Sequence, residues 1–163
     1  MTTFAYKSTP AALSFSASRE GREIDLHRRR ATLRLRYSNV VGHAWLRSDL
    51  HNLANECADA GWDGYDAMPV DAGAIERALE VLDAVSAARN GVVMSVGAEA
   101  DGQVTIEWHR SASWTLSVSV SGSGELHYSA LLGSGKAYGT ELFDASVGIP
   151  DTLRQLIGRV EAA

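Results

Sequence analysis

Two aspartates and two aromatic residues stand close together in the stretch GWDGYDAMPVD at residues 61–71. Asp63 and Asp66 have the chemistry of a general acid and base, or of ligands for a hard cation, and Trp62 and Tyr65 can stack on a sugar or a base. The D-x-x-D spacing lacks the further oxygen ligands and the terminal glutamate of a calcium loop. No second carboxylate or histidine follows at an interval typical of catalysis. These residue types therefore permit chemistry without specifying one.

The same stretch also fits a structural corner between two helices. In that interpretation Trp62 and Tyr65 fill the junction between the helices and a sheet, and Gly64 takes a positive φ. Asp63 accepts hydrogen bonds from backbone N–H groups and so fixes the turn. We favour this structural loop and keep ligand binding as the alternative. Its residues are Trp62, Asp63, Gly64, Tyr65 and Asp66.

A second candidate is the polar face of several strands in the second half of the chain. It comprises Thr105, Glu107, His109, Thr115, Ser117, Ser119, Glu125, His127 and Ser129. Residues two apart on a strand share a face, so Glu107, His109 and His127 could converge on a metal. In a sheet of simple order, the strand of Trp114 separates the two histidines by about 10 Å, too far for one zinc ion. We expect a solvated face, with protein binding as the alternative.

The third candidate is a basic strand in the stretch HRRRATLRLRY at residues 27–37. Its arginines can grip phosphates or a carboxylate-rich partner. They can equally pair with the acidic helices of the same chain, and both interpretations stay open. The arginines are Arg28, Arg29, Arg30, Arg34 and Arg36, and the helical acids are Glu56, Asp59, Glu76, Glu80 and Asp83.

Established catalytic signatures are absent from the sequence. The motifs GxSxG, HExxH, GxxxxGK[ST] and GxGxxG do not occur. The stretch GSGK at 133–136 lacks the upstream glycine and the following Ser or Thr of a phosphate loop, so we expect a hairpin turn. Cys57 lies on the apolar stripe of a helix, which favours a core role. We predict no catalytic residue, no cofactor and no metal.

Apolar spacing and capping residues predict three helices. The first begins at a cap at residues 48–49 and ends at Gly61. The second begins after the cap Asp71 and ends at residues 90–91. A terminal helix opens at residues 150–151. The first two helices therefore flank the aromatic loop.

Alternating apolar and polar residues predict four strands, and a fifth in AYGTELF, between the second and third helices. Asp101-Gly102 is a two-residue hairpin signal. Clean alternation means burial on one face only, as in an antiparallel meander whose apolar face is covered by helices. The predicted fold class is α+β: an antiparallel meander sheet of four to five strands packed by two to three helices, with an N-terminal basic strand segment. We place that segment at residues 1–45 and the α+β core at 46–163 of a single domain.

Composition bears on partners and compartment. The 163 residues, 45% hydrophobic and 21% charged, are typical of one globular domain. Residues 1–50 hold nine Lys or Arg and four acids, whereas residues 51–163 hold six and sixteen. An acidic body disfavours non-specific nucleic-acid binding, but the basic N-terminal third keeps a narrower nucleic-acid hypothesis open. A single cysteine and no apolar run of membrane-spanning length lead us to expect a cytoplasmic protein with no membrane partner.

The order of these motifs resembles a group of small, mostly uncharacterised bacterial proteins. That group combines a W-D-G-[YE] loop with a later D-G-x-[VI]-x-[IL]-E-W strand. The resemblance covers about residues 48–130 and implies a shared fold and a bacterial or phage origin. Small proteins of this provenance are often partners of toxins or of defence systems, which is an association and not a physical argument. The matching residues are Trp62, Asp63, Gly64, Tyr65, Pro69, Asp101, Gly102, Val104, Ile106, Glu107 and Trp108.

Three functional hypotheses follow. The first is a non-enzymatic protein-interaction module, an inhibitor or neutraliser of antitoxin, immunity or anti-defence type, that acts through the polar sheet face or the basic strand. The second is a nucleic-acid-associated regulator that uses the strand at residues 28–36. The third is an unrecognised enzyme centred on Asp63, Tyr65 and Asp66. A sheet with an unprotected edge can also form a homodimer by pairing with a second copy.

Overall fold

Three helices and one five-stranded sheet form the part of the chain that the computed structural model describes, which is residues 43–85, 88 and 91–163. This architecture confirms the predicted α+β class and the antiparallel meander. The predicted basic strand, with Arg28, Arg30, Arg34 and Arg36, lies outside the described residues. In chain order the elements are α1 (Ala44–Glu56), α2 (Ala72–Ala84), β1 (Val93–Ala98), β2 (Val104–Ser111), β3 (Trp114–Val120), β4 (Glu125–Leu132), β5 (Gly135–Leu142) and α3 (Asp151–Ala162).

Each strand pairs antiparallel with the next, so the order in space is the order in the chain. Ile106 on β2, for example, lies opposite Val96 on β1 and Val118 on β3. Residues that pair in this way share a face of the sheet. The alternation in each strand therefore places apolar side chains on one side, the inner face, and mostly polar side chains on the other.

The inner face packs against all three helices and forms one hydrophobic core. Ile106 and Trp108 of β2 join Leu50 of α1, Leu82 of α2 and Val160 of α3 in this core. Each of these five side chains is at most 1% exposed. Burial of a side chain of this size contributes about 1.5–3 kcal/mol, so the contact between the helices and the sheet is the main support of the fold.

The first helix does not begin where capping residues predicted. It starts at Ala44 after His43, whose side chain makes no capping hydrogen bond, and not at residues 48–49. Leu46 in its first turn is buried, so tertiary packing holds this turn in place of a cap. The helix also ends before Gly61, which lies in the following turn with a φ of 76°.

The second helix begins as predicted but stops earlier. The Asp71 carboxylate accepts a hydrogen bond from the N–H of Gly73 at 2.9 Å, as expected for an N-cap. The helix ends at Ala84, before the predicted stop at residues 90–91. None of the helices in the described ranges is long and apolar enough to cross a membrane.

The connection between β1 and β2 is longer than the predicted two-residue turn. The N–H of Gly102 donates to the carbonyl oxygen of Glu99 at 3.1 Å, and the N–H of Glu99 donates to that of Gln103 at 2.9 Å. Gly102 has a φ of 86°, the left-handed conformation of a glycine that follows a type I turn. The stretch at 133–136 does form a tight hairpin, because Leu132 pairs with Gly135.

Candidate interaction surface on the outer face of the sheet

The outer face is the side of the sheet that points away from the core. All three helices contribute to the core on the inner face, so within the described residues no helix packs on the outer face. All nine residues of the predicted polar face belong to it. Its members on the strands include Ser95, Thr105, Glu107, His109, Thr115, Ser117, Ser119, Glu125, His127, Ser129, Leu131, Lys136, Tyr138, Thr140 and Leu142.

Glu107 lies on β2, between β1 and β3, and is buried. It pairs with Ser95 on β1 and with Ser117 on β3, and it is 9% exposed. The hydroxyl of Ser117 donates to its Oε2 at 3.4 Å, and the Nδ1 atom of His109 lies 3.9 Å from its Oε1. At Glu107, therefore, the expectation of a solvated face was wrong. Burial of a carboxylate requires polar neighbours, and Ser117 supplies one.

Glu99 extends the polar face beyond the end of β1, and the sequence reasoning missed it. Its Oε1 atom accepts hydrogen bonds from the hydroxyl of Thr105 and from that of Ser119, the latter at 2.6 Å. The sequence did contain a signal for it: Glu99 follows Ser95 and Gly97 at intervals of two residues, and residues two apart on a strand share a face. Three adjacent backbone segments thus share one carboxylate, which orders this corner of the face.

The two predicted histidines share the outer face but do not come together. His109 lies in the cross-strand row of Thr115 and shares a 3.1 Å hydrogen bond with its hydroxyl. His127 lies in the row of Ser119 and shares a 2.9 Å hydrogen bond with the hydroxyl of Thr140. Two strand spacings and four residues separate the histidines, about 16 Å between Cα atoms. Accordingly, no three His, Cys, Asp or Glu side chains in the described part of the chain are placed to hold a metal ion.

Large apolar side chains are exposed where the outer face crosses β4 and β5. Tyr138 is 77% exposed and Leu142 74%, and Leu131 on β4 is 47% exposed. On the inner side of β5 the strand is tightly packed, because a Cβ atom at Gly139 would lie only 2.6 Å from the Tyr128 hydroxyl oxygen. Tyr128 thus occupies the inner side of β5, and small residues must face it. The sequence reasoning did not single out Tyr138 or Leu142, because the fifth strand carries no apolar alternation.

Acidic groups outnumber basic ones on the outer face. The carboxylates of Glu99, Glu107 and Glu125 contrast with a single lysine, Lys136. A surface of this sign repels phosphate groups and attracts basic side chains. The described part of the outer face is therefore poorly suited to nucleic acid.

The aromatic loop has the geometry predicted for a corner. Oδ1 of Asp63 accepts hydrogen bonds from the N–H groups of Tyr65 at 2.8 Å and Ala67 at 3.3 Å. Gly64 has a φ of 85°, and the indole of Trp62 donates to the carbonyl oxygen of Met68 at 2.9 Å. These observations confirm the expected positive φ and the expected backbone hydrogen bonds. One oxygen of Asp63 is thus committed to the turn, while Asp66 is exposed at the surface.

This loop is bonded to the β1–β2 hairpin. The N–H of Met68 donates to the carbonyl oxygen of Ala100 at 2.8 Å, and that of Asp71 donates to the oxygen of Gly102 at 3.0 Å. The N–H of Val70 bonds to the oxygen of Cys57 at the end of α1 at 2.9 Å. The loop therefore connects the end of α1 to the β1–β2 hairpin through backbone hydrogen bonds, which supports a structural role.

Two of the acids considered as partners for the basic strand already have partners among the described residues. The Arg47 guanidinium forms an ion pair with Asp83, and that hydrogen bond holds the pKa of Asp83 below its ordinary value. Arg77 pairs with Glu80 at 2.7 Å. Pairing between the helical acids and the N-terminal arginines stays a prediction, since those arginines lie outside the described residues.

Comparison with protein-family models, with curated proteins and with solved structures finds no match for this chain.

Proposed function

We propose that the protein is a non-enzymatic interaction module that binds and blocks another protein through the outer face of its sheet. One observation carries this proposal. The outer face has no described helix against it, and its exposed Leu131, Tyr138 and Leu142 lie beside rows of hydroxyl and carboxylate groups. Exposed apolar side chains rimmed by polar residues are typical of protein–protein contact surfaces. The acidic groups favour a partner with a basic surface.

The same observations weigh against the two other hypotheses for this surface. Nucleic acid is disfavoured by the excess of carboxylates on the outer face. An enzyme centred on Asp63 and Asp66 is disfavoured because Asp63 bonds to two backbone N–H groups of its own loop. A carboxylate held in this way stabilises the turn.

Four further expectations belong to the proposal. We infer a relation to the bacterial group with the W-D-G-[YE] loop, a role of antitoxin, immunity or anti-defence type, and a cytoplasmic location. Homodimerisation through a sheet edge is the fourth. These inferences are supported by the motif residues, by the composition and by an outer face that no described helix covers. None is required for the outer face to bind a partner.

Affinity capture tests the proposal. The tagged full-length protein is incubated with host lysate beside two variants, Ser129→Arg and Gln155→Arg. Ser129 is exposed on the outer face between Ser117 of β3 and Tyr138 of β5. Gln155 is exposed on α3 on the other side of the sheet, so the charge change is matched. We expect wild type and Gln155→Arg to retain the same protein in stoichiometric amount and Ser129→Arg to lose it. Equal capture by all three would place the interface elsewhere.

A nucleic-acid regulator that uses Arg28, Arg30, Arg34 and Arg36 remains the second proposal, supported by the basic composition of residues 1–50. It predicts that the full-length protein captures nucleic acid, and that the affinity falls steeply between about 50 and 200 mM salt. An Arg30→Ala, Arg34→Ala, Arg36→Ala triple variant should then lose nucleic acid while Ser129→Arg keeps it. Binding that does not change with salt would contradict this second proposal.

A further inference from the structure

Among the residues that the structure describes, β5 is the last strand of the sheet, and no strand lies along its second side. Within the described residues its only neighbouring strand is β4. Phe143, just after β5, donates its N–H to the carbonyl oxygen of Gly124 at 2.9 Å. Because hydrogen-bonded pairs alternate along an antiparallel ladder, the odd-numbered residues of β5 bond to β4. The even-numbered residues therefore direct their N–H and C=O groups to the open side, and they are Lys136, Tyr138, Thr140 and Leu142.

A tight turn limits the open edge at its C-terminal end. The N–H groups of Val147 and Gly148 both donate to the carbonyl oxygen of Asp144, at 3.0 and 2.8 Å. Asp144 also forms an isolated bridge with Gly148. The backbone of Asp144 is thus already engaged, and the free edge consists of the four even-numbered residues that precede it.

This edge has little of the usual protection against strand pairing. Protein edges are ordinarily blunted by charges, proline or bulges. Here two of the four edge residues, Tyr138 and Leu142, are large apolar side chains that are 77% and 74% exposed. Lys136 is the single charged residue among the four, and β4 and β5 pair without a register shift. A weakly protected edge beside exposed apolar side chains favours the addition of another strand.

We propose that β5 of a second copy of this chain occupies the open edge, antiparallel, with the two-fold axis at Gly139. In this register each Lys136 lies opposite the partner's Leu142, and each Tyr138 lies opposite the partner's Thr140. All four edge residues of both copies then exchange backbone hydrogen bonds, and the strand stops short of the Asp144 turn. A shift by two residues in either direction leaves one edge residue of each copy without a free backbone partner.

The charges around the edge also favour a second copy. Leu142 pairs with Glu125 on β4 of its own chain. In the proposed register, Lys136 of one copy therefore reaches over the partner's Leu142 towards the partner's Glu125. Opposite charges thus meet at two symmetry-related places, and the stems of the two lysines cover apolar surface. A second copy supplies this match twice, by symmetry.

The pairing would join two outer faces into one surface of ten strands, five from each copy. The four exposed apolar side chains of the two β5 strands would lie at its centre. This proposal specifies the edge and the register of the homodimer inferred above. It rests on β5 alone and does not depend on whether the outer face binds another protein.

Sedimentation velocity of the full-length protein tests the dimer, with Leu142→Lys and Leu142→Glu as a matched pair. Both substitutions are at an exposed side chain. In the proposed register, Leu142→Lys places two lysines opposite each other, whereas Leu142→Glu places a carboxylate opposite Lys136. We expect a dimer that dissociates on dilution between about 200 and 1 μM, since a strand-to-strand interface is narrow. The lysine variant should dissociate about tenfold more readily, and the glutamate variant less readily than wild type.

A wild-type protein that stays monomeric over this whole range overturns the proposal. A shift in the same direction for both Leu142 variants overturns the register, because the partner's Lys136 should repel the introduced lysine and attract the introduced glutamate. Neither result affects capture of another protein by the outer face, which the Ser129→Arg variant tests separately.

A second pair of variants tests the backbone contact itself. Thr140→Ala and Thr140→Pro both remove the hydroxyl that bonds to His127. Only Thr140→Pro removes the N–H group that points to the open edge. We expect Thr140→Ala to dimerise like wild type and Thr140→Pro to be monomeric with an unchanged circular dichroism spectrum. A folded Thr140→Pro variant that dimerises like wild type contradicts the proposal, and if it does not fold, the Leu142 pair decides.

Discussion

The carbonyl oxygen of Gly102 accepts a hydrogen bond from the N–H of Asp71 at 3.0 Å. This bond connects the D-G turn of the β1–β2 hairpin to the end of the aromatic loop, two sequence motifs that stand more than thirty residues apart. Met68 and Ala100 add a second backbone hydrogen bond at 2.8 Å. The two motifs therefore form one hydrogen-bonded contact, which we call the joint.

Gly102→Ala should destabilise the protein strongly. Gly102 has a φ of 86°, and a Cβ atom there would lie 2.8 Å from the carbonyl oxygen of Pro69. The left-handed backbone and the collision together should cost about 2–4 kcal/mol of unfolding free energy, measured by urea denaturation. Gly97→Ala is the control, since nothing lies within 4 Å of its Cβ position. Similar stability of both variants would show that the joint is not a support of the fold.

Gly64→Ala separates the two causes. Gly64 has a φ of 85°, but its Cβ position has no neighbour within 4 Å. Only the left-handed conformation is penalised there, at about 1 kcal/mol. We therefore expect its urea midpoint to fall between those of Gly97→Ala and Gly102→Ala. A loss as large as that of Gly102→Ala would mean that the Pro69 contact contributes nothing.

Asp63→Ala distinguishes a structural corner from an enzyme. Removal of the carboxylate leaves the N–H groups of Tyr65 and Ala67 without their acceptor, which should cost about 1–2 kcal/mol of stability. Asp63→Asn keeps an acceptor oxygen and should lose less than half as much. Asp66→Ala at the exposed neighbour should change stability by less than about 0.5 kcal/mol. An Asp63→Ala protein with an unchanged melting temperature would argue against the corner and reopen the catalytic interpretation.

Asp49→Asn should stabilise the protein at neutral pH. Partial burial, and then the nearby charge of Glu56, raise the pKa of Asp49 above 3.8. Protonation therefore favours the folded state, and this advantage is complete below pH 3.8 and lost as the pH rises through the folded-state pKa. We expect Asp49→Asn to be more stable than wild type at pH 7, by at most about 0.5 kcal/mol because the site is solvated. The difference should disappear near pH 3.8 in thermal melts, and a difference that is constant with pH would contradict this origin.

The sequence predicts the sheet better than the helix ends or the surface. Strict alternation in β2, β3 and β4 identifies the strands and their faces, because each strand has only one buried side. The start of α1 was predicted too late, since the burial of Leu46 replaces a cap, and burial depends on residues distant in the chain. The hairpin at Gly102 has three loop residues and not two, because Gly102 takes the left-handed position after a type I turn.

The exposed side chains of β5 could not be assigned to a face from the sequence. Tyr138 and Leu142 look like core residues by type, and Ala137 and Gly139 do not. The ring of Tyr128 fills the space next to Gly139 on the inner side of β5, where a larger side chain would not fit. Burial of Glu107, which is 9% exposed, was likewise not predicted, because alternation along β2 places this residue on the polar face. The features that suggest function are thus those that tertiary packing determines.

The most direct test of the central claim is a calorimetric titration of the purified captured protein into wild type, Ser129→Arg and Gln155→Arg. If the outer face is the interface, Ser129→Arg should weaken the affinity at least about tenfold, because a charged side chain at the centre of a contact excludes close packing. Gln155→Arg should bind as wild type does. Equal affinities for all three proteins would contradict the assignment of the interface to the outer face.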